Sequence, residues 1–198
     1  MTDKIEPEVA EMQLALGRAI SAWAAIEGTL CSTFCIAVTA TDRDAAARAF
    51  TAILSFEVQL AVTRAAMAVS YRRQPKVMEH WTEIAKRIDK LRPLRNKLAH
   101  GQIIIVAGSG RLASVDFLPF HHFGAGKSTD EYEHWAVGDL NKLNDAFLTV
   151  SSDMHGLICA LVGRGTLFPL SPAPNLQVGR PPFHRRKQPP RSGGQPHP

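Results

Sequence analysis

The sequence predicts an all-α fold: an antiparallel bundle of four to five helices with a short β-hairpin inserted before the last one. Three observations carry that expectation. Apolar residues recur at steps of three or four through most of the first hundred positions, and again after residue 139. One β-branched run, "QIIIVAG", is followed across a Ser-Gly turn pair by "RLASVDFLPF", which can return antiparallel. Beyond residue 168 the chain holds nine prolines and few large apolar side chains.

Taken in order, Val9, Met12, Leu16, Ile20, Trp23, Ile26, Leu30, Phe34 and Val38 mark one long amphipathic helix over residues 7–39, with Pro7 tolerated in its first turn. Thr41-Asp42 offers an N-cap for "RDAAARAF", whose buried side is Phe50, Ile53 and Leu54. Ser55 restarts a helix through about Ser70, and "YRRQP" breaks it. Val77, Trp81, Ile84, Ile88, Leu91 and Leu98 then carry a helical period as far as His100. Pro93 lacks an N–H and crowds the preceding turn, so a kink or restart is expected there. Gly101 suits a left-handed closing residue. After the hairpin, "HHFGAGKSTDEYEHW" reads as loop, and a final helix runs from Asp139 to about Val162.

The organisation is one helical domain over residues 1–168 and a disordered, Pro-rich basic tail over 169–198, which lacks the apolar surface to offset ordering entropy. The formal net charge of +5 belongs to that tail. It holds Arg180, Arg185, Arg186, Lys187 and Arg191 and no carboxylate, and without it basic and acidic side chains balance at 18 each. Three cysteines without a completing ligand pair read as buried free thiols in a reducing compartment. The start "MTDKIEPEVAE" is too polar for a signal peptide. Arg18, Glu27 and scattered Ser/Thr interrupt the most apolar stretch, so a membrane span of ~20 apolar residues is not expected. Together these features place the chain in the cytoplasm.

Several chemical signatures fail on their own terms. "GAGKST" at 124–129 resembles the end of a phosphate-binding loop, but His121 stands where the pattern needs glycine, and no helix follows. His121 and His122 are adjacent and point apart in an extended chain. His134 could join them, yet a solvated loop explains all three better. His80 and His155 are isolated. No metal site and no cofactor is expected.

The stretch "RPLRNKLAHG" is different. Lys86, Arg87, Lys90, Arg92, Arg95 and Lys97 crowd six cations into twelve residues beside a single Asp89, a local field suited to phosphate. A solvated helical face complementing the helix dipole accounts for the same charges. His100 adds a group that titrates near neutrality, and Arg95 presents a fork matched to phosphate oxygens. Metal-free cleavage of RNA needs a base for the 2′-hydroxyl and a cation for charge growing on phosphorus. Five residues on an ideal helix separate the two side chains by about 140°, so a kink at Pro93 and a loosened end at Gly101 would have to bring them together. Asn96, four before His100, could orient the imidazole or contact phosphate. Arg92 and Lys97 are weaker candidates for backbone phosphate.

"RNKLAH" resembles the Arg-x4-6-His signature of the HEPN superfamily, in which a polar residue commonly follows the arginine; here these are Arg95, Asn96 and His100. The likeness covers residues 8–163, and the opening "SAWAAIEGTL" together with the glycine and hairpin after the motif is similar to small bacterial and phage proteins of that type. The resemblance implies a metal-independent endoribonuclease, often a toxin or phage-defence element restrained by an antitoxin protein. It also implies a homodimer whose Arg and His line one composite cleft, leaving 2′,3′-cyclic phosphate and 5′-hydroxyl ends. The family also holds members that bind without cutting. In such a scaffold Arg95 would pair with an acid of the first helix, such as Glu27, and His100 would merely end its helix. The tail would hold RNA phosphates loosely, or serve solubility or a protein partner; its removal should weaken RNA binding and spare cleavage.

Overall fold

The computed structural model describes residues 2–106, 114–118, 133–163, 165–167, 169–174 and 176–179. Among these, the elements are α1 (Thr2–Ala37), α2 (Arg43–Thr51), α3 (Phe56–Ser70), α4 (Pro75–Ala99), β1 (Gln102–Val106), β2 (Ser114–Leu118) and α5 (Val137–Leu161). This is the expected helical bundle with a hairpin before the last helix. The phosphate-loop-like stretch at 124–129, His121 and His122 lie outside the described residues.

Local signals set most boundaries. Asp42 Oδ1 accepts the Ala45 N–H at 2.9 Å to open α2, and Ser55 Oγ accepts that of Val58 at 3.5 Å to open α3. Pro75 occupies the first turn of α4. At α5, Asp139 Oδ2 reaches back to the Ala136 N–H at 3.1 Å, which starts the helix at Val137 instead of Asp139.

α1 is the axis of the bundle. Its buried stripe runs through Met12, Ala15, Ala19, Ala22, Trp23, Ile26 and Leu30. The alanines let neighbouring helices approach closely, and Ile20, expected inside, is 47% exposed. Trp23 packs on Phe56 of α3 and edge-on to Phe147 of α5, with centroids 4.9 and 5.2 Å apart. Farther along, Ser70 Oγ bonds the Ala37 carbonyl, so α3 runs in the direction of α1. α4 runs opposite to α3, as the pairs Arg92–Glu57 and Arg64–Asp89 show.

The hairpin pairs Gln102 with Leu118 and Ile104 with Asp116. A third strand-like pairing joins Phe117 to Trp135, through two 2.8 Å backbone bonds. The end of the expected loop is therefore structured: Trp135 is fully buried, and His134 is buried with Nδ1 3.7 Å from Asp116 Oδ2 instead of solvated.

Four other expectations change. First, α4 runs unbroken through Pro93. The missing bond and ring clash cost about 3 kcal/mol, and burial of Ile88, Leu91 and Leu98 on either side, at roughly 1.5–3 kcal/mol each, outweighs it. Second, Gly101 has no positive φ. Its lack of a side chain is needed because the Phe117 ring and the Leu118 carbonyl crowd the space a Cβ would take. Third, by length and composition alone α1 qualifies to cross a membrane, because a window of 18 residues within Glu6–Ala37 has mean hydropathy 1.4. Its charges lie mostly in the first turns, and its buried stripe faces the bundle. Fourth, the described residues after 168 are not detached: Leu170, Leu176 and Val178 pack against the core. Composition averaged over thirty residues hides those three side chains.

Candidate RNA-binding cleft at the end of α4

The cation cluster of α4 meets the rest of the fold through carboxylates distant in sequence. Arg92 pairs with Glu57 of α3 at 3.1 Å, Arg95 with Glu27 of α1 at 3.3 Å, and Lys97 with Glu133 at 2.6 Å. Arg87 meets Glu83 at 3.4 Å and Asp153 of α5 at 3.1 Å, and Lys86 lies 4.0 Å from Glu83. Five of the six cations thus have an acidic partner, and the field read from local sequence is largely neutralised.

Burial decides which of these pairs could open for a phosphate. Arg87 and Asp153 are 12% and 7% exposed, so separating them strands a buried charge at about 3–5 kcal/mol. Arg95 and Glu27 are 34% and 38% exposed, where an ion pair contributes roughly 0–1 kcal/mol. Separating Arg95 from Glu27 therefore costs little. The same holds for Arg92 with the open Glu57. Arg87 is structural.

Arg92, Arg95 and Asn96 share a cleft of about 530 Å³ with Trp23, Glu27, Glu57 and Pro93, at the junction of α1, α3 and α4. Arg95 is held there from three sides. Its Nη2 donates to Glu27 Oε1, its Nη1 donates to Asn96 Oδ1 at 3.4 Å, and its guanidinium carbon lies 5.9 Å from the Trp23 ring centroid. Glu27 is fixed in turn by the Trp23 indole N–H at 2.6 Å. The amide oxygen of Asn96 thus serves Arg95, where the sequence offered it to the imidazole or to phosphate. Leu54, fully exposed, stands at the rim.

His100 is not brought into this cleft. It caps α4 with φ −115° and ψ 5°, exposed to solvent, while the residues lining the cleft end at Asn96. Lys97 points elsewhere again, to Glu133 ahead of α5. One chain therefore assembles Arg92, Arg95 and Asn96, and leaves His100 on the same helix end outside them. The Arg95–Glu27 pair and the capping position of His100 are the contacts expected of the non-cutting alternative.

Trp23 is the site residue hardest to see in the sequence, where it counts as a core position; Glu27 is legible there as an interruption of an apolar helix and as the acid named for Arg95 in the non-cutting alternative. The signal available was their i,i+4 spacing, an indole donor and a carboxylate on one face. Elsewhere, no group of three or more His, Cys, Asp or Glu among the described residues could hold a metal ion. Cys31 and Cys35 line a separate cleft of about 600 Å³. Burial first, then Cys35 beside it, pushes the Cys31 thiol up to about 11. Burial also lowers the His80 pKa, assisted by Arg87 and opposed by Asp153. No family model, curated protein or solved structure matches the chain.

Proposed function

We propose that the chain is a metal-independent endoribonuclease of HEPN type, working in the cytoplasm as a homodimer on single-stranded RNA or exposed RNA loops. The observation that carries this reading is Arg95 itself. It is half-exposed and oriented by Glu27, Trp23 and Asn96 at an open cleft, in an ion pair weak enough to exchange for a phosphate. Two non-bridging phosphate oxygens match the guanidinium fork, and Arg92 lies in reach of a neighbouring phosphate.

The reaction needs no water and no cofactor in its first step. The ribose 2′-oxygen attacks phosphorus as His100 takes its proton, the bond to the 5′-oxygen breaks, and a 2′,3′-cyclic phosphate remains. The departing 5′-oxygen must receive a proton, ending as a hydroxyl. Because His100 stands outside the Arg95 cleft of its own chain, a two-fold partner supplies the completing imidazole. A two-fold axis near the end of α4 brings a base and an acid to one scissile bond. The resemblance to toxins and phage-defence proteins adds the expectation of an antitoxin partner.

The second reading is a non-catalytic binding or scaffold protein, favoured by the carboxylate partners of Arg92, Arg95 and Lys97. Incubating a mixed RNA pool with the protein in excess EDTA separates the two. Cleavage leaving cyclic-phosphate ends, abolished in His100→Ala at matched folding, supports the nuclease. Cleavage that survives His100→Ala removes His100 from the chemistry. A wild-type protein that binds the pool and leaves it intact supports the scaffold.

A further inference from the structure

Cys31 and Cys35 stand about one turn apart on α1, which runs unbroken through both as far as Ala37. Their spacing puts the two side chains on one face of the helix, with Cβ atoms about 5–6 Å apart. Both line the cleft of about 600 Å³ between the end of α1, the start of α2 and the end of α5. Cys35 is buried and Cys31 partly exposed, so the pair is reached from the Cys31 side. Cys159, the third cysteine, is not among the residues lining that cleft.

The spacing decides what chemistry the pair allows. A disulfide needs Cβ atoms about 3.5–4.5 Å apart, so closing one here would distort the turn of α1 that carries both residues. An ion bonded to both sulfurs sits between them and is accommodated by the wider helical spacing. Thiolates select soft ions, among them monovalent copper, zinc and iron–sulfur clusters. Iron–sulfur clusters are typically held by four cysteines, and the chain has three. Zinc takes at least three protein ligands, and no group of three or more His, Cys, Asp or Glu among the described residues could supply them. Monovalent copper is satisfied by two thiolates in a line.

The surroundings suit that ion. Ile36, Ala47, Ile158 and Val162 give the cleft apolar walls. Two thiolates on one monovalent ion leave a single negative charge. Arg43 lines the same cleft at the first position of α2, and the N-terminus of that helix adds positive potential. Cys35 Sγ already faces this helix start, 3.9 Å from the Arg43 carbonyl oxygen. The Asp44 carboxylate, also at the cleft, opposes these two contributions.

We propose that Cys31 and Cys35 form a two-thiolate site for one monovalent copper ion. Binding converts two thiols and one copper(I) ion into a bis-thiolate complex and two protons, which pass to solvent; nothing is oxidised or reduced. The site is separate from the α4 cleft and does not depend on the RNA reading. Because the Cys31 thiol is pushed up to about 11, the ion competes with protons for its sulfur, and affinity rises with pH.

Anaerobic titration of the reduced full-length protein with copper(I) held by bathocuproine disulfonate tests this, since the chelator loses colour as the protein withdraws the ion. Wild type and Cys159→Ser should each withdraw one equivalent. Cys31→Ser and Cys35→Ala, at matched circular dichroism, should withdraw none at the same chelator concentration. Between pH 6.5 and 7.5 the wild-type affinity should rise by up to about 100-fold as two protons leave. Copper-edge X-ray absorption of the loaded wild type should show two sulfur neighbours, a readout that needs neither variant to fold. No uptake by the wild type, full uptake by either folded single variant, an affinity indifferent to pH, or copper without two sulfur neighbours overturns the proposal.

Discussion

Gly101→Ala is the substitution for which opposing effects can be weighed most directly. At an ordinary backbone angle, replacing glycine by alanine stabilises by about 0.4–1 kcal/mol, because the unfolded chain loses freedom. Gly101 has an ordinary φ, so that gain applies. Against it, the new Cβ would overlap the Phe117 ring, with Cε1 2.5 Å away, and would lie 2.7 Å from the Leu118 carbonyl oxygen. Phe117 cannot swing away: it is fully buried, packed 5.8 Å from Trp135 and bonded to it through the backbone. Overpacking of this kind costs about 1–3 kcal/mol, so a net loss of about 1–2 kcal/mol is expected. For a chain of this size that lowers Tm by roughly 2–8 °C. Urea and thermal melts of Gly101→Ala, Phe117→Leu and the double variant test the cause. Leucine relieves the ring overlap and leaves the carbonyl contact, so the alanine penalty should shrink by at least ~0.5 kcal/mol in the double variant. A Tm for Gly101→Ala equal to or above that of the wild type, or strict additivity, would refute the close-packing argument.

Two further outcomes follow from burial. Asp153→Ala should destabilise by about 3 kcal/mol, because it leaves the buried Arg87 only the more exposed Glu83 as a carboxylate partner and releases Ser171. Asp89→Ala, which breaks a pair 41% and 42% exposed, should cost ~1 kcal/mol or less; equal melting temperatures for the two would contradict the ranking. Cys31 should alkylate slowly. With its thiol pushed from 9.0 to about 11, its thiolate fraction at pH 8 is about 100-fold below that of a free cysteine, checked by iodoacetamide rates at each cysteine. The preference for the neutral thiol is fully present below pH 9 and is lost as pH rises through 11, so Cys31→Ala should flatten stability loss in that window.

What the sequence disclosed was what neighbouring residues decide. Asp42 and Ser55 cap the helices they were expected to cap, and the hairpin lies where its β-branched run and turn pair put it. What it withheld was set by partners far along the chain. The α4 cations look like an unopposed field because Glu57, Glu133 and Asp153 lie on other elements; of their partners only Glu27 was named from the sequence, for the non-cutting alternative. Gly101 looks like a helix terminator because Phe117 arrives from the next strand. Arg95 and Asn96 were legible as candidate site residues; that they would share one cleft, with Asn96 holding Arg95 and His100 standing outside, was not, since side-chain direction at a helix end depends on the packing around it.

The pairing of α1 with α5 has a consequence during synthesis. The stripe from Met12 to Leu30 is covered by Leu140, Leu143, Phe147, Val150 and their neighbours, the last helix to be made. At about 5–20 residues per second, the interval between the end of α1 and the end of α5 is roughly 6–25 s. For those seconds the ribosome carries a helix of membrane-crossing length whose longest apolar seam has no mate. Until α5 is made, α3 is the chief partner available to cover that seam.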